Sequence, residues 1–129
     1  MLGLISGMAS ATFLINSEDW KDIYSGTYHS FSQGEEPYFV TDNNLGVFQT
    51  MPYGENVNVI QSTETPMASN LGPRLRSQGY QVGNVTEAAN MNTELNPGNS
   101  DYIIVPEGYP SAALVAAPYA RATDSWVLI

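Results

Sequence analysis

Four acidic residues raise the first chemical question in this sequence. Glu18, Asp19 and Asp22 crowd the stretch after the apolar run Thr12-Phe13-Leu14-Ile15, and Glu107 follows a second such run, Tyr102-Ile103-Ile104-Val105. If each run is a strand feeding a helix, these carboxylates gather at the edge of a parallel sheet where α/β proteins place ligands. There they suit an acid pair of the kind that cleaves glycosidic bonds. They equally suit a calcium site of oxygen ligands, to which Asp42 of the turn Asp42-Asn43-Asn44 adds a further candidate. A third reading needs no ligand: acids in the first turn of a helix complement its dipole by about 0.3–1 kcal/mol each. The sequence favours this reading over calcium, and calcium over catalysis; Asp42-Asn43-Asn44 suits a turn as well as an ion loop, and full EF-hand spacing is missing.

Other reactive constellations are thin. The chain has no cysteine, which excludes disulfides, thiolate metal sites and thiol nucleophiles. His29 is the single histidine; late in a helix it suits packing or capping better than catalysis. A zinc site would need to be nearly all carboxylate, a set zinc seldom uses. After Ile15 the chain reads Asn16-Ser17-Glu18-Asp19-Trp20, not a glycine-rich nucleotide loop, and neither a P-loop nor G-x-S-x-G occurs. No enzyme is expected, and no cofactor beyond the calcium option.

The elements that must position these residues follow from apolar runs and breakers. Strands are expected at Thr12–Ile15, Tyr38–Thr41, Val57–Ile60, Tyr102–Val105 and Trp126–Ile129, near-continuous apolar runs such as strands covered on both faces show. Helices are expected over Asp19–Phe31 with Ser17 as N-cap, over Pro66–Gln78 after Thr65, and over Tyr109–Ala122. Pro73 and Pro118 lie inside two of these and predict kinks. Gly83 to Ser100 reads as a polar excursion with a turn at Pro97-Gly98-Asn99. Alternating strands and helices predict an α/β, three-layer βαβ sandwich with a mainly parallel sheet. Shifting the chain by 89 residues sets Phe13-Leu14-Ile15 on Tyr102-Ile103-Ile104, Trp20 on Tyr109, and Phe39-Val40 on Leu128-Ile129, so two similar βαβ units are expected.

The segment Tyr102-Ile-Ile-Val-Pro-Glu-Gly-Tyr-Pro-Ser-Ala-Ala-Leu-Val-Ala-Ala-Pro-Tyr-Ala resembles the cell wall-binding repeat 2 family, whose members show an apolar strand, a polar turn, an aromatic and an alanine-rich helix with A-A-P. Phe13-Leu-Ile-Asn-Ser-Glu-Asp-Trp-Lys-Asp-Ile-Tyr-Ser-Gly is similar in outline, with Asp22 where the family has aspartate. Archaeal surface-layer proteins share that outline. The resemblance implies an α/β module at a cell surface and binding of a cell-wall polymer. Ser111 stands where the second copy would carry aspartate, and the family's polymer-holding basic residues are nearly absent.

Charge narrows the partners. Thirteen acidic residues face Lys21, Arg74, Arg76 and Arg121, a formal charge of −9 in 129 residues. So little cation argues against nucleic acid and against an anionic membrane surface. A lysine-poor acidic chain suits a salt-rich, halophilic or archaeal setting, where screening relieves self-repulsion. The first eleven residues, MLGLISGMASA, are apolar and small, without the basic region of a secretion signal and about half the roughly 20 residues a membrane span needs. They are expected to form an N-terminal arm, 1–11, ahead of a single domain, 12–129.

Interface candidates complete the reading. Tyr24 and Tyr28 share a helix face near Trp20 and Phe31, a stripe that fits a core better than a sugar platform. Tyrosine-rich, lysine-poor surfaces also suit protein–protein contacts. Trp126 opens a final apolar strand, either a covered inner strand or an edge awaiting a partner. Together with Tyr24, Tyr28, Tyr109 and the arm residues Leu2, Leu4 and Ile5, it is expected at an interface with a copy or partner. Asn84-Val85-Thr86 is an N-glycosylation sequon. The expected function is structural: a homo-oligomerising subunit of an extracellular lattice or virion, the virion accommodating the lack of a secretion signal. The alternatives are a carbohydrate or cell-wall polymer binding module, and a small hydrolase using Glu18, Asp22 or Glu107.

Overall fold

The computed structural model describes residues 11–98 and 101–129. A four-stranded parallel sheet forms its centre, in the order β2-β1-β3-β4: β1 is Thr12–Asn16, β2 Pro37–Phe39, β3 Asn56–Ser62 and β4 Gln81–Ala88. All five residues of β1 are buried, as its continuous apolar sequence and its place inside the sheet require. Strand order reverses at β1, so crossovers of one hand must lie on opposite faces. They do. Helix α1, Trp20–Ser32, carries β1 to β2 and sets Ile23 on the face of Phe13, Ile15 and Ile60. Helix α2, Leu71–Ser77, carries β3 to β4 and sets Leu71 and Leu75 on the face of Leu14, Val57 and Val59. A short helix α3, Met91–Glu94, comes after β4 and joins α1 on the first face through Met91.

A second unit sits on the outer side of α1. Strand β5, Tyr102–Ile104, helix α4, Pro110–Thr123, and strand β6, Trp126–Leu128, make a βαβ unit whose strands pair in parallel as a separate two-stranded sheet. The expected sandwich is therefore built on two sheets, not one. The repeat holds in register: Phe13 pairs with Pro37 and Ile15 with Phe39, as Tyr102 pairs with Trp126 and Ile104 with Leu128. A third core, of Val105, Ala113, Ala120 and Val127 with Trp20, Tyr24 and Tyr28 against it, joins this unit to α1.

Three expectations need correction. The polar excursion from Gly83 is an edge strand, β4, paired along β3 and interrupted by a bulge where Asn58 Oδ1 accepts from the Asn84 amide. An edge strand needs only one backbone partner and no apolar faces, so its composition hides it. The helix expected from Pro66 begins only at Leu71, because the preceding loop closes the end of the sheet. There the Asn16 side chain donates to Ala68 O and accepts from Ala68 N, both at 2.9 Å, and Thr65 O accepts from Glu18 N. Pro73 then falls in the first turn, where its missing N–H has no intrahelical partner to lose. The N-cap of α1 is Asp19, whose Oδ1 accepts from Lys21 N; Ser17 Oγ instead accepts from Asp19 N and donates to Asp22.

Candidate functional site

The sequence-predicted carboxylates serve the fold separately. Asp22 is 2 % exposed and spends both oxygens inside the protein: Oδ2 accepts from Ser17 Oγ at 2.8 Å and Oδ1 from the Met91 amide at 3.0 Å. It thus anchors α3 to α1. Glu107 and Asp19 both bridge to Lys21, whose ammonium is held above its usual range chiefly by the Glu107 hydrogen bond. Asp42 closes a turn on Asn44 N, and Glu18 is exposed. Among the described residues, no three histidine or acidic side chains come close enough together to hold a metal ion.

The expected interface aromatics divide. Trp126 is buried within its own chain at 3 % exposure, edge-on to Tyr28 with ring centres 5.5 Å apart, and its Nε1 donates to Asn92 O. The edge reading of β6 fails because α3 covers it. Asn92, 1 % exposed, completes the strand with its side-chain amide: Nδ2 donates to Val127 O and Oδ1 accepts from Ile129 N. Tyr24 and Tyr28 on α1 donate to Ala113 O and Ser125 O, at 2.7 and 2.9 Å. Burial pushes the Tyr24 hydroxyl up to about 12. Tyr109 is 61 % exposed at the start of α4. Leu2, Leu4 and Ile5 lie outside the described residues. Asn84 is exposed on the β4 edge. His29 packs edge-on against Phe13, and burial lowers its basicity.

What the strand-centred reading missed is a groove between α1 and α4. Trp20, Tyr24, Tyr28 and Phe31 form one wall, and Pro110, Leu114 and Ala117 the other, around about 390 Å³. It continues past Pro118 to Arg121. Its tyrosine hydroxyls are already bonded to backbone carbonyls, so the groove offers ring faces and methyl groups with one cation at its end. Outside the groove, α4 leaves Val115 78 % and Tyr119 66 % exposed. The signal was present in the sequence: α4 has apolar residues all round, which a helix covered on one side does not require.

A second cavity of about 430 Å³ lies at the other side of Tyr28, edged by His29, Ser32, Gln33, Arg121, Asp124 and Trp126. No helix among the described residues is long and apolar enough to cross a membrane. Comparison with protein-family models, curated proteins and solved structures finds no match to the chain. The likeness to cell wall-binding repeat 2 therefore rests on the strand, turn and alanine-rich helix residues alone.

Proposed function

We propose that this protein is a structural subunit that works by packing against other protein chains, in an extracellular lattice or a virion. The observation that carries the reading is the apolar outer surface of α4 with its groove: Leu114, Val115 and Tyr119 are each more than half exposed in a chain that buries its other helices against sheets. Apolar residues gathered on one element mark interaction surfaces, whereas scattered ones do not. Tyrosine on this face and a single arginine at its end fit interface composition. Sedimentation velocity across a concentration range tests it. Association of the parent protein, weakened in Val115→Glu with Tyr119→Glu, is expected; a parent that stays monomeric at every concentration and salt level overturns it.

The cavity beside Tyr28 supports a second reading, a carbohydrate-binding module. It gathers Gln33, Ser32, Arg121 and Asp124, the planar and hydroxyl groups that bond sugar hydroxyls, around aromatic edges. Glycan-array binding lost in Gln33→Ala is the expected sign; an array without binding removes it.

A further inference from the structure

Helix α4 presents a seam of exposed residues at the spacing by which helices pair. Ala112, Val115, Tyr119 and Ala122 follow one another at intervals of three, four and three residues, and all four are exposed. That alternation keeps them on one side of the helix over about 15 Å. The seam is also symmetric about the level of Ala117: the two alanines lie five residues before and after it, and Val115 and Tyr119 lie two before and after. When two such helices run antiparallel about a twofold axis at that level, each tyrosine meets a valine and each alanine an alanine. Self-complementarity of this kind is what an isologous contact requires, and antiparallel helices also oppose their dipoles.

Charge narrows the occupant of this face. The fourteen residues of α4 hold Arg121 and no carboxylate, whereas the rest of the chain has thirteen acidic residues against three basic ones. Two copies therefore repel through most of their surfaces. Among the described helices, α4 alone joins freedom from acid to large exposed apolar side chains, with Val115 78 % and Tyr119 66 % exposed. A basic partner finds no carboxylate here and is drawn to the acidic remainder instead.

We propose that α4 of a second copy of this chain packs antiparallel on α4, about a twofold axis at the level of Ala117. This rests on the assembly reading above and names its partner and geometry. Two helices in contact along about 15 Å bury far less than the about 1,600 Å² of a standard interface. The contact is therefore weak by itself, and the dimer forms at high protein concentration.

Because the chain has no cysteine, disulfide trapping reads this geometry directly. Val115→Cys and Tyr119→Cys proteins, one carrying a mass tag, are mixed at equal concentration and mildly oxidised. Antiparallel pairing sets position 115 opposite position 119 of the other copy. Like positions are displaced by four residues, about 6 Å along the axis, which takes them to the limit of disulfide reach. Mixed dimers are expected several-fold above the two like dimers together. A statistical mixture overturns the proposal, and so does an excess of like dimers, the sign of parallel pairing. Sedimentation of the parent separates this outcome from that of the reading it rests on. If the parent associates and the excess of mixed dimers is missing, the α4 pairing falls while the assembly reading stands; if the parent stays monomeric at every concentration, both fall.

Discussion

The two βαβ units share strand register but differ in what surrounds the helix. Counted from their helix starts, Ile23, Gly26 and Ser30 of α1 correspond to Ala113, Ala116 and Ala120 of α4, and both triplets face their own strands. On the next side, Asp22 and Ser25 of α1 meet α3, through Met91 N and Asn92 Nδ2. The corresponding Ala112 and Val115 of α4 are exposed. The first unit packs against β3, β4 and α3, which cover its helix; among the described residues no such elements cover the outer side of α4. One local pattern thus yields a core element in one place and a bare apolar surface in the other. The difference lies in the described elements packed against each helix.

The largest expected effect comes from breaking the joint between the units. Asn92 satisfies Ser25, Val127 and Ile129 at once from a fully buried position. Asn92→Ala leaves the Val127 carbonyl and the Ile129 amide without those partners and opens a cavity, for a cost of about 3 kcal/mol or more. Chemical denaturation monitored by tryptophan fluorescence checks this. The second unit is expected to loosen first, so the transition should broaden as well as move. A shift under about 1 kcal/mol would mean that the core of Tyr24, Tyr28 and Val127 alone holds the units together.

The helix faces give a sharper pair. A Cβ added at Gly26 would lie 2.9 Å from Ile15 Cδ1, so α1 sits on β1 as closely as glycine permits. Gly26→Ala therefore strains the packing, with an expected loss of about 1–3 kcal/mol despite alanine's better helix propensity. On α4, where Val115 is 78 % exposed, Val115→Ala is expected to change monomer stability by no more than about 0.5 kcal/mol. Thermal melts of both variants test the contrast. Destabilisation by Val115→Ala that depends on protein concentration would locate the missing cover of α4 in another chain.

These residues also show what the sequence could reveal. The strands of both units were legible as apolar runs, and their common register from the 89-residue offset. The expected cover on both faces holds for β1 but not for β5, where Tyr102 is 41 % and Ile104 76 % exposed because no described element packs on its outer face. Edge strand β4 was not legible, since Gln81, Gly83, Asn84 and Glu87 need no apolar face. The carboxylates were placed at the correct strand-to-helix turn, yet their roles depend on long-range partners: Asp22 meets Met91, and Lys21 meets Glu107. Whether Trp126 is covered within its own chain was not legible for the same reason, because its cover, α3, comes from a distant part of the chain.

Alkaline pH probes the aromatic seam between the units. Burial raises the Tyr24 hydroxyl from 10.0 to about 12, and raises Tyr28 as well, with Arg121 lowering and Asp124 raising the latter. An acid raised in the folded state holds its proton longer than in the unfolded chain, so stability is unaffected below pH 10 and falls as pH rises from 10 to about 12. Tyr24→Phe should flatten that fall while costing about 1 kcal/mol at neutral pH for the lost bond to Ala113. His29 works at the acid end: burial lowers it, so stability declines as pH drops below 6.5. An alkaline slope unchanged by Tyr24→Phe would place the titrating group elsewhere.

The smallest expected effect concerns an ion pair across the seam. Lys21 of α1 bonds Glu107 of the β5–α4 turn, and Asp19 stands 3.5 Å from the same ammonium. Glu107 is 70 % exposed, so water and salt screen the pair, and exposed pairs contribute about 0–1 kcal/mol. Lys21→Met keeps the apolar stem and removes the charge, and its melting temperature should stay close to the parent's at low salt. Molar KCl should raise the parent's melting temperature, because screening relieves the repulsion of a chain with a formal charge of −9, and should raise that of Lys21→Met further, since this variant has one cation fewer. A Lys21→Met protein that comes apart into its two units at low salt would reverse the ranking and make charge, not the Asn92 and tyrosine contacts, the bond between them.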